Sequence, residues 1–141
     1  ASKLPGETNY PSSLEAYSQL CHDAGQTKPT PLLLRYEAGG YNRLHQDLYG
    51  ALHFPLQAVI LLNRREVDFT GGEFLLLEQQ PRAQSIGQAV TLDQGEMLLF
   101  PVRERPVQGK RGYYRAPMRH GVSRLHTGRR HTLGLIFHDA E

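Results

Sequence analysis

"LLLRYEAGGYNRLHQD", residues 32–47, decides how the chain is read. Two short apolar, β-type runs flank the turn signal Ala38-Gly39-Gly40, and the second run ends in His45 and Asp47, two positions apart. On a strand, residues i and i+2 project from the same face, so the imidazole and the carboxylate can reach one point. That pair is two thirds of a facial metal site, which a second histidine would complete. Alone it is a weak signal, because a surface ion pair or a hydrogen-bonded turn uses the same residues.

The later sequence supplies the missing parts. "MRHGVSRLHTGRRHTLGLIF", 118–137, offers His120 on one expected strand and Arg130 ten residues on. The Thr127-Gly128 pair reads as a turn that sends the chain back antiparallel, with Arg130 on a strand neighbouring that of His120. An arginine buried in a barrel leaves its charge unpaired unless an anion arrives. A dicarboxylate fits, one end on the metal and the far carboxylate taking the guanidinium fork.

Between these stretches the chain alternates β-type runs with turn signals. Strands are expected near 32–37, 43–47, 55–63, 73–78, 88–92, 96–100, 119–125 and 131–137, with "FTGG" and "DQG" among the turns. Eight short strands so spaced suggest a mainly β fold, a double-sheet jelly roll or a barrel. "PSSLEAYSQLCHDAG" predicts a short N-terminal helix with Ser12 and Glu15 as a capping box and Leu14, Tyr17, Leu20 and Cys21 as its apolar stripe. Residues 1–30 therefore read as helix and connector, and 31–141 as the β domain. Segment 101–118, with three prolines, reads as a long loop or a loose hairpin.

A chain of 141 residues makes one core, and 39% apolar with 21% charged residues excludes wholesale disorder. The longest apolar run, 58–62, is strand-sized, so no membrane partner is expected. One cysteine, Cys21, excludes an internal disulfide and fits a reducing, cytoplasmic setting. The chain does not begin with Met and is expected to be a processed or truncated piece of something longer. Nine of its sixteen Lys and Arg residues lie between Arg103 and Arg130, against one acid there, Glu104. That basic third reads either as a solvated loop balancing the acidic remainder or as a lip for an anionic partner. In the second reading Arg103, Arg105, Lys110, Arg111 and Arg115 contact phosphates of a single-stranded or damaged nucleic acid while Tyr113 and Tyr114 stack on a base.

His45-x-Asp47, His120 and Gly128-x-Arg130-x-Thr132 together resemble the Fe(II)/2-oxoglutarate-dependent dioxygenase superfamily. "LLLRYEAGGYNRLHQD", "LQAVILLN", "DFTGGEFLL" and "GEMLLF" are similar, in order, to segments of its prolyl-4-hydroxylase-like members. The likeness covers roughly residues 31 to 138 and is nearest a bacterial group described as oxygenases acting on damaged nucleic acid. It implies a double-stranded β-helix of jelly-roll type, an enzyme using Fe(II), 2-oxoglutarate and O2, and His45, Asp47 and His120 as iron ligands. It further implies that Arg130 binds the distal carboxylate of 2-oxoglutarate, that Thr132 assists, and that Tyr36 lines the pocket. Where prolyl hydroxylases supply a second cosubstrate tyrosine, this chain has Leu61, leaving Gln57 or Tyr36 to supplement Arg130. The substrates implied are an alkylated nucleic-acid base, demethylated by oxidation, or a protein side chain or small molecule. A non-catalytic iron or 2-oxoglutarate sensor is the reading from another class.

Of the other histidines, His126, His131 and His138 are expected to be surface or packing residues, His22 solvated, and His53 either solvated or at the site's mouth. Gly71-Gly72 reads as a tight turn, Glu73 as the partner of a nearby arginine, and Cys21 as a packing residue.

Overall fold

The computed structural model describes residues 9–141. Ten strands follow one helix: α1 (Leu14–Asp23), β1 (Leu32–Glu37), β2 (Asn42–His45), β3 (Leu56–Leu61), β4 (Phe69–Gly71), β5 (Phe74–Glu78), β6 (Ile86–Val90), β7 (Met97–Pro101), β8 (Glu104–Gly109), β9 (Gly112–Val122) and β10 (Leu125–Ile136). They form two five-stranded antiparallel sheets. One runs β1-β10-β3-β7 with β4 also on β10; the other runs β2-β9-β5-β6 with β8 also on β9. The fold is a mainly β jelly roll with a single short helix among the described residues.

Alternation decides what faces inward. On β3, Gln57, Val59 and Leu61 are buried, and through the register Ile136↔Gln57, Gly134↔Val59 and Thr132↔Leu61 they share a face with the alternate residues of β10. β1 continues that face, with Tyr36 opposite Arg130 and Leu34 opposite Thr132. Val59, Phe74 and Phe100 pack as one apolar cluster, and Leu61, Phe69 and Leu125 as another. Leu92 touches both, so the polar cavity between the sheets is walled by a nearly continuous apolar core.

Three expectations change. The chain reverses after β9 at Ser123-Arg124, not at Thr127-Gly128, and β9 and β10 belong to opposite sheets. Gly128 lies inside β10 at φ +76°, where a Cβ would stand 2.0 Å from the carbonyl oxygen of Asp68. It bends one long strand rather than ending it, so the strand pairs first with β4 and then with β1 and β3. The segment expected to be a loop or loose hairpin is a regular one: β8 and β9 pair from Glu104↔Pro117 to Gly109↔Gly112, turning at Lys110 and Arg111. Pro106 is tolerated because β8 pairs on one side only, and Pro101 because it ends the edge strand β7.

The helix is capped one residue later than expected. Ser13, not Ser12, accepts the Ala16 N–H at 3.2 Å. Tyr17 and Cys21 are buried, whereas Leu14 and Leu20 stay exposed, so the apolar stripe is narrower than the pattern implied. The connector fastens to the end of the chain: Thr30 Oγ1 donates to the carbonyls of Ile136 and His138, and Lys28 bridges to Ala140.

Candidate metal centre

β2 places His45 at its end, directly opposite His120 on β9, and Asp47 follows two residues later. Their imidazole rings are 4.3 Å apart between centroids. Nε2 of His120 lies 3.0 Å from one oxygen of Asp47, and Nε2 of His45 lies 3.4 Å from the other. One potential ligand atom from each of the three residues falls within a 4.8 Å span, so the group can hold a metal ion.

The donor set fits a metal in further respects. His45 donates from Nδ1 to the carbonyl of Arg43 at 2.6 Å, which orients the ring with Nε2 toward Asp47 and the point the three side chains share. His120 is held by packing instead. Its ring stacks on Phe74 at 5.8 Å and lies 4.9 Å from Phe100, both core residues, while its buried Nδ1 has no hydrogen-bond partner. Tyr49 donates its hydroxyl to Asp47 Oδ1 at 2.7 Å.

Electrostatics follow from these contacts. Burial alone would raise the carboxyl pKa of Asp47, but hydrogen bonds from His120, His45 and Tyr49 override it and hold the group well below the usual carboxylate range. The same carboxylate raises the pKa of His45, whose burial pulls the other way. Burial, with the bond to Asp47, pushes the Tyr49 phenol up to about 12, so it remains a donor at neutral pH.

The opposite wall of the cavity carries Arg130. Its side chain is 3% exposed, and among the described residues no carboxylate lies within ion-pair distance of it. Its guanidinium sits 5.7 Å from the centre of the Tyr36 ring. Burial lowers its pKa from the ordinary arginine value, yet not enough to discharge a guanidinium at neutral pH. Room for the side chain depends on Gly72, at φ +64°, where a Cβ would meet Leu125 Cδ1 at 2.4 Å and Arg130 Cδ at 3.0 Å. The Gly71-Gly72 turn thus has a second task beyond turning. Beside Arg130, Thr132 Oγ1 and Gln57 Nε2 are buried without partners. Tyr36, Gln57, Arg130 and Thr132 line one cavity of about 160 Å3, together with His45, Asp47 and His120.

The structure therefore gathers His45, Asp47, His120, Arg130, Thr132, Tyr36 and Gln57 around one space. Arg130 arrives from the facing sheet rather than from a strand adjacent to that of His120. Leu61 is 2% exposed and packs with Phe69 and Leu125, offering nothing to a polar ligand. Glu73 accepts a short hydrogen bond from the Ser123 hydroxyl, which lowers its pKa; it is not ion-paired with an arginine as expected. His126 is exposed, His131 half-buried and His138 buried as a packing residue, its Nδ1 accepting the Phe54 N–H. His22 pairs with Asp139 at 2.8 Å, and Cys21 is fully buried. His53 lines a separate groove, not the metal cavity. Sequence reading missed Tyr49, although its place at i+4 from His45 was a usable signal. It also missed the grip of Phe74 and Phe100 on His120, which has no local signal at all.

Four of the nine basic residues of the segment are engaged within the chain. Arg105 pairs with Glu78 and Arg115 with Glu104, each at 2.5 Å, Arg129 lies 3.6 Å from Glu37, and Arg124 donates to the Gly39 carbonyl. Among the described residues no helix is long and apolar enough to cross a membrane.

This constellation on a jelly roll defines the class of metal-binding oxygenase folds, and comparison with known proteins bears that out. Residues 1–140 match the model of a family described as "Oxygenase, catalysing oxidative methylation of damaged DNA", and the chain belongs to that family. It is 54% identical over 138 residues to uncharacterized proteins from two strains of Mycobacterium tuberculosis, CDC 1551 and H37Rv, covering 98% of this chain. The chain spans 59% of the length of those relatives. Among solved structures, a Pseudomonas putida prolyl-4-hydroxylase superposes with a TM-score of 0.55 at 19% identity, covering 89% of this chain and 60% of that one. A 2OG-Fe(II) oxygenase family oxidoreductase from Burkholderia pseudomallei gives 0.54 at 17% identity, covering 88% and 52%. Both are similar in fold.

Proposed function

We propose that this chain is the core of an Fe(II)- and 2-oxoglutarate-dependent dioxygenase that demethylates alkylated nucleic-acid bases. One observation carries the reading: a two-histidine, one-carboxylate cluster shares a cavity with a buried arginine that has no acid within ion-pair distance. His45, Asp47 and His120 hold the iron. Arg130 takes the distal carboxylate of 2-oxoglutarate through its fork. Thr132 and Gln57 contribute their unpartnered Oγ1 and Nε2, and Tyr36 closes the wall above the guanidinium. Gln57 stands in for the tyrosine that Leu61 replaces, because its buried amide lacks a partner while Leu61 has no polar atom.

When bound, iron with 2-oxoglutarate and O2 supplies oxidative decarboxylation to succinate and CO2, coupled to insertion of one oxygen atom into a substrate C–H bond. Hydroxylation of an N-methyl group yields a carbinolamine, which releases formaldehyde and restores the N–H. The protein's own residues orient the keto acid, keep the carboxylate of Asp47 ionised and exclude water with the Phe74–Phe100 wall. A base must leave its stack to reach such a cavity, so a single strand or an extruded base is the substrate form. The family description supports nucleic acid as the target. A role in bacterial DNA repair, in the cytoplasm, agrees with that description and with the single, buried cysteine. In this reading residues 1–30 are helix and connector, and 31–141 form the dioxygenase domain.

The test is anaerobic titration of metal-free protein with Fe(II) and then 2-oxoglutarate, followed by visible absorption. A charge-transfer band that needs both additions and is lost in His120→Ala supports the site. A folded protein with no band overturns it. With the band in hand, release of formaldehyde from alkylated single strands decides the substrate.

A further inference from the structure

His138 lies two residues past β10 and carries on the alternation that turns Arg130, Thr132, Gly134 and Ile136 into the metal cavity. It is 2% exposed and stands outside the cavity's lining. Its two ring nitrogens show what it does beyond packing. Nδ1 accepts the Phe54 N–H at 3.3 Å. A backbone N–H can only donate, so Nδ1 holds a lone pair and the ring proton sits on Nε2. That Nε2 is buried, with no acceptor within hydrogen-bond distance. A buried donor left unmatched in an ordered core is costly and calls for a reason.

The reason lies in what surrounds the ring. Burial, with the neighbouring His53, lowers its pKa, and the Asp47 backbone opposes this as a hydrogen-bond acceptor does. The attraction works at longer range than a hydrogen bond, and in a buried site it is weakly screened. Tyr49, whose hydroxyl donates to the Asp47 carboxylate at 2.7 Å, lies 6.3 Å from His138 between ring centroids. Asp47 needs such backing, because β2 ends at His45 and residues 46–49 have no regular structure to hold a ligand still.

His138 is itself firmly placed. Thr30 Oγ1 donates to its carbonyl at 2.6 Å, and the Asp139 carbonyl takes the Gln26 amide at 2.6 Å; both side chains are buried. Gln26 also exchanges hydrogen bonds with the Leu52 backbone, at 2.8 and 2.9 Å. Connector, chain end and the 51–54 segment thus meet around one histidine. Gln46 is fixed independently, its Nε2 donating to the Arg103 and Met118 carbonyls, both at 2.8 Å, so the part of the ligand loop left to His138 is Asp47 and Tyr49.

We infer that His138 is a positioning residue of the metal centre: its Nε2–H attracts the Asp47 backbone and its ring backs Tyr49, so that the carboxylate keeps its direction toward the cation. The inference rests on the metal-centre reading above and extends it to a residue outside the ligand set. It is independent of which substrate the enzyme takes.

The experiment is anaerobic calorimetric titration of metal-free protein with Fe(II), paired with melting temperatures measured without metal. Two variants separate the ring nitrogens. His138→Asn keeps an acceptor near the place of Nδ1 for Phe54 and has no donor long enough to reach Asp47. His138→Gln keeps a donor near the place of Nε2 and loses the acceptor. Fe(II) affinity is expected to fall about tenfold or more in His138→Asn and less than about threefold in His138→Gln. Melting temperatures are expected in a different order, with His138→Gln no more stable than His138→Asn, because it strands the Phe54 N–H. Affinity losses that follow the melting temperatures, or equal losses in the two variants, would overturn the inference. A further check needs no variant: in the imidazole nitrogen NMR spectrum of the wild type, the His138 proton is expected on Nε2, and a proton on Nδ1 overturns the inference. No Fe(II) binding by the wild type overturns the metal centre and the inference with it. Fe(II) binding that His138→Asn leaves untouched overturns the inference alone.

Discussion

The two ends of the metal cavity treat buried charge in opposite ways. At one end the Asp47 carboxylate is surrounded by donors from His45, His120 and Tyr49 and is held ionised. At the other end the Arg130 guanidinium is buried against the face of Tyr36, with Glu73 acting on it only from beyond ion-pair distance and two polar groups beside it that lack partners. A compensated charge is a finished part of the fold. An uncompensated one costs stability and is retained where a ligand completes it. The difference marks which end meets a cation and which an anion.

The comparison is broken most severely by removing a ligand. His120→Ala is expected to weaken Fe(II) binding roughly a hundredfold or more, measured by anaerobic titration. Near-wild-type affinity would remove His120 from the centre. Next in size, Arg130→Leu should weaken 2-oxoglutarate binding by about 10- to 100-fold, the range for losing hydrogen bonds to a charged group, while Fe(II) still binds. The same change should leave the melting temperature of the ligand-free protein unchanged or higher, because an unpaired buried charge is replaced by an apolar side chain. A lower melting temperature would mean that Arg130 supports the fold rather than a ligand.

Smaller effects sharpen the contrast. Tyr49→Phe removes one of three donors to Asp47 and is expected to weaken metal binding by about tenfold, with circular dichroism unchanged. Gln57→Leu should weaken 2-oxoglutarate binding by up to about tenfold without loss of stability, since the amide it removes has no partner in the protein. Acidity gives the mildest test. Metal competes with protons for His45, whose pKa is raised chiefly by its bond to Asp47. Fe(II) affinity should therefore fall as pH decreases, beginning above the pH at which an ordinary histidine would protonate, whereas Asp47 stays ionised throughout that window. Affinity flat from pH 8 to 5 would contradict the role given to His45.

Much of this is legible in the sequence. The apolar, β-type runs of β1, β3 and β5 and the His-x-Asp spacing are local signals, legible over a few residues. The reading failed where a local signal had two meanings. Thr127-Gly128 has the composition of a hairpin turn, yet Gly128 serves a bend within β10, because the strand pairs first with β4 and then with β1 and β3. The prolines of 101–118 suggested a loop, but Pro101 and Pro106 fall on the edge strands β7 and β8, which tolerate them. Ser12 has the better capping-box pattern, with Glu15 three residues on, yet Ser13 is the cap because its hydroxyl accepts the Ala16 N–H.

By itself the sequence determined the mainly β class, the residues that could form a metal centre, and an arginine in need of an anion. These follow from residue chemistry and short-range periodicity. Only the tertiary structure decided that Arg130 faces the ligands from the opposite sheet, that Phe74 and Phe100 hold His120, and that Gly72 makes room for a guanidinium. It alone also brought His138, from beyond the last strand, to Asp47 and Tyr49. Each of these joins residues dozens of positions apart, and such contacts are fixed by how two sheets close on one core rather than by any local spacing.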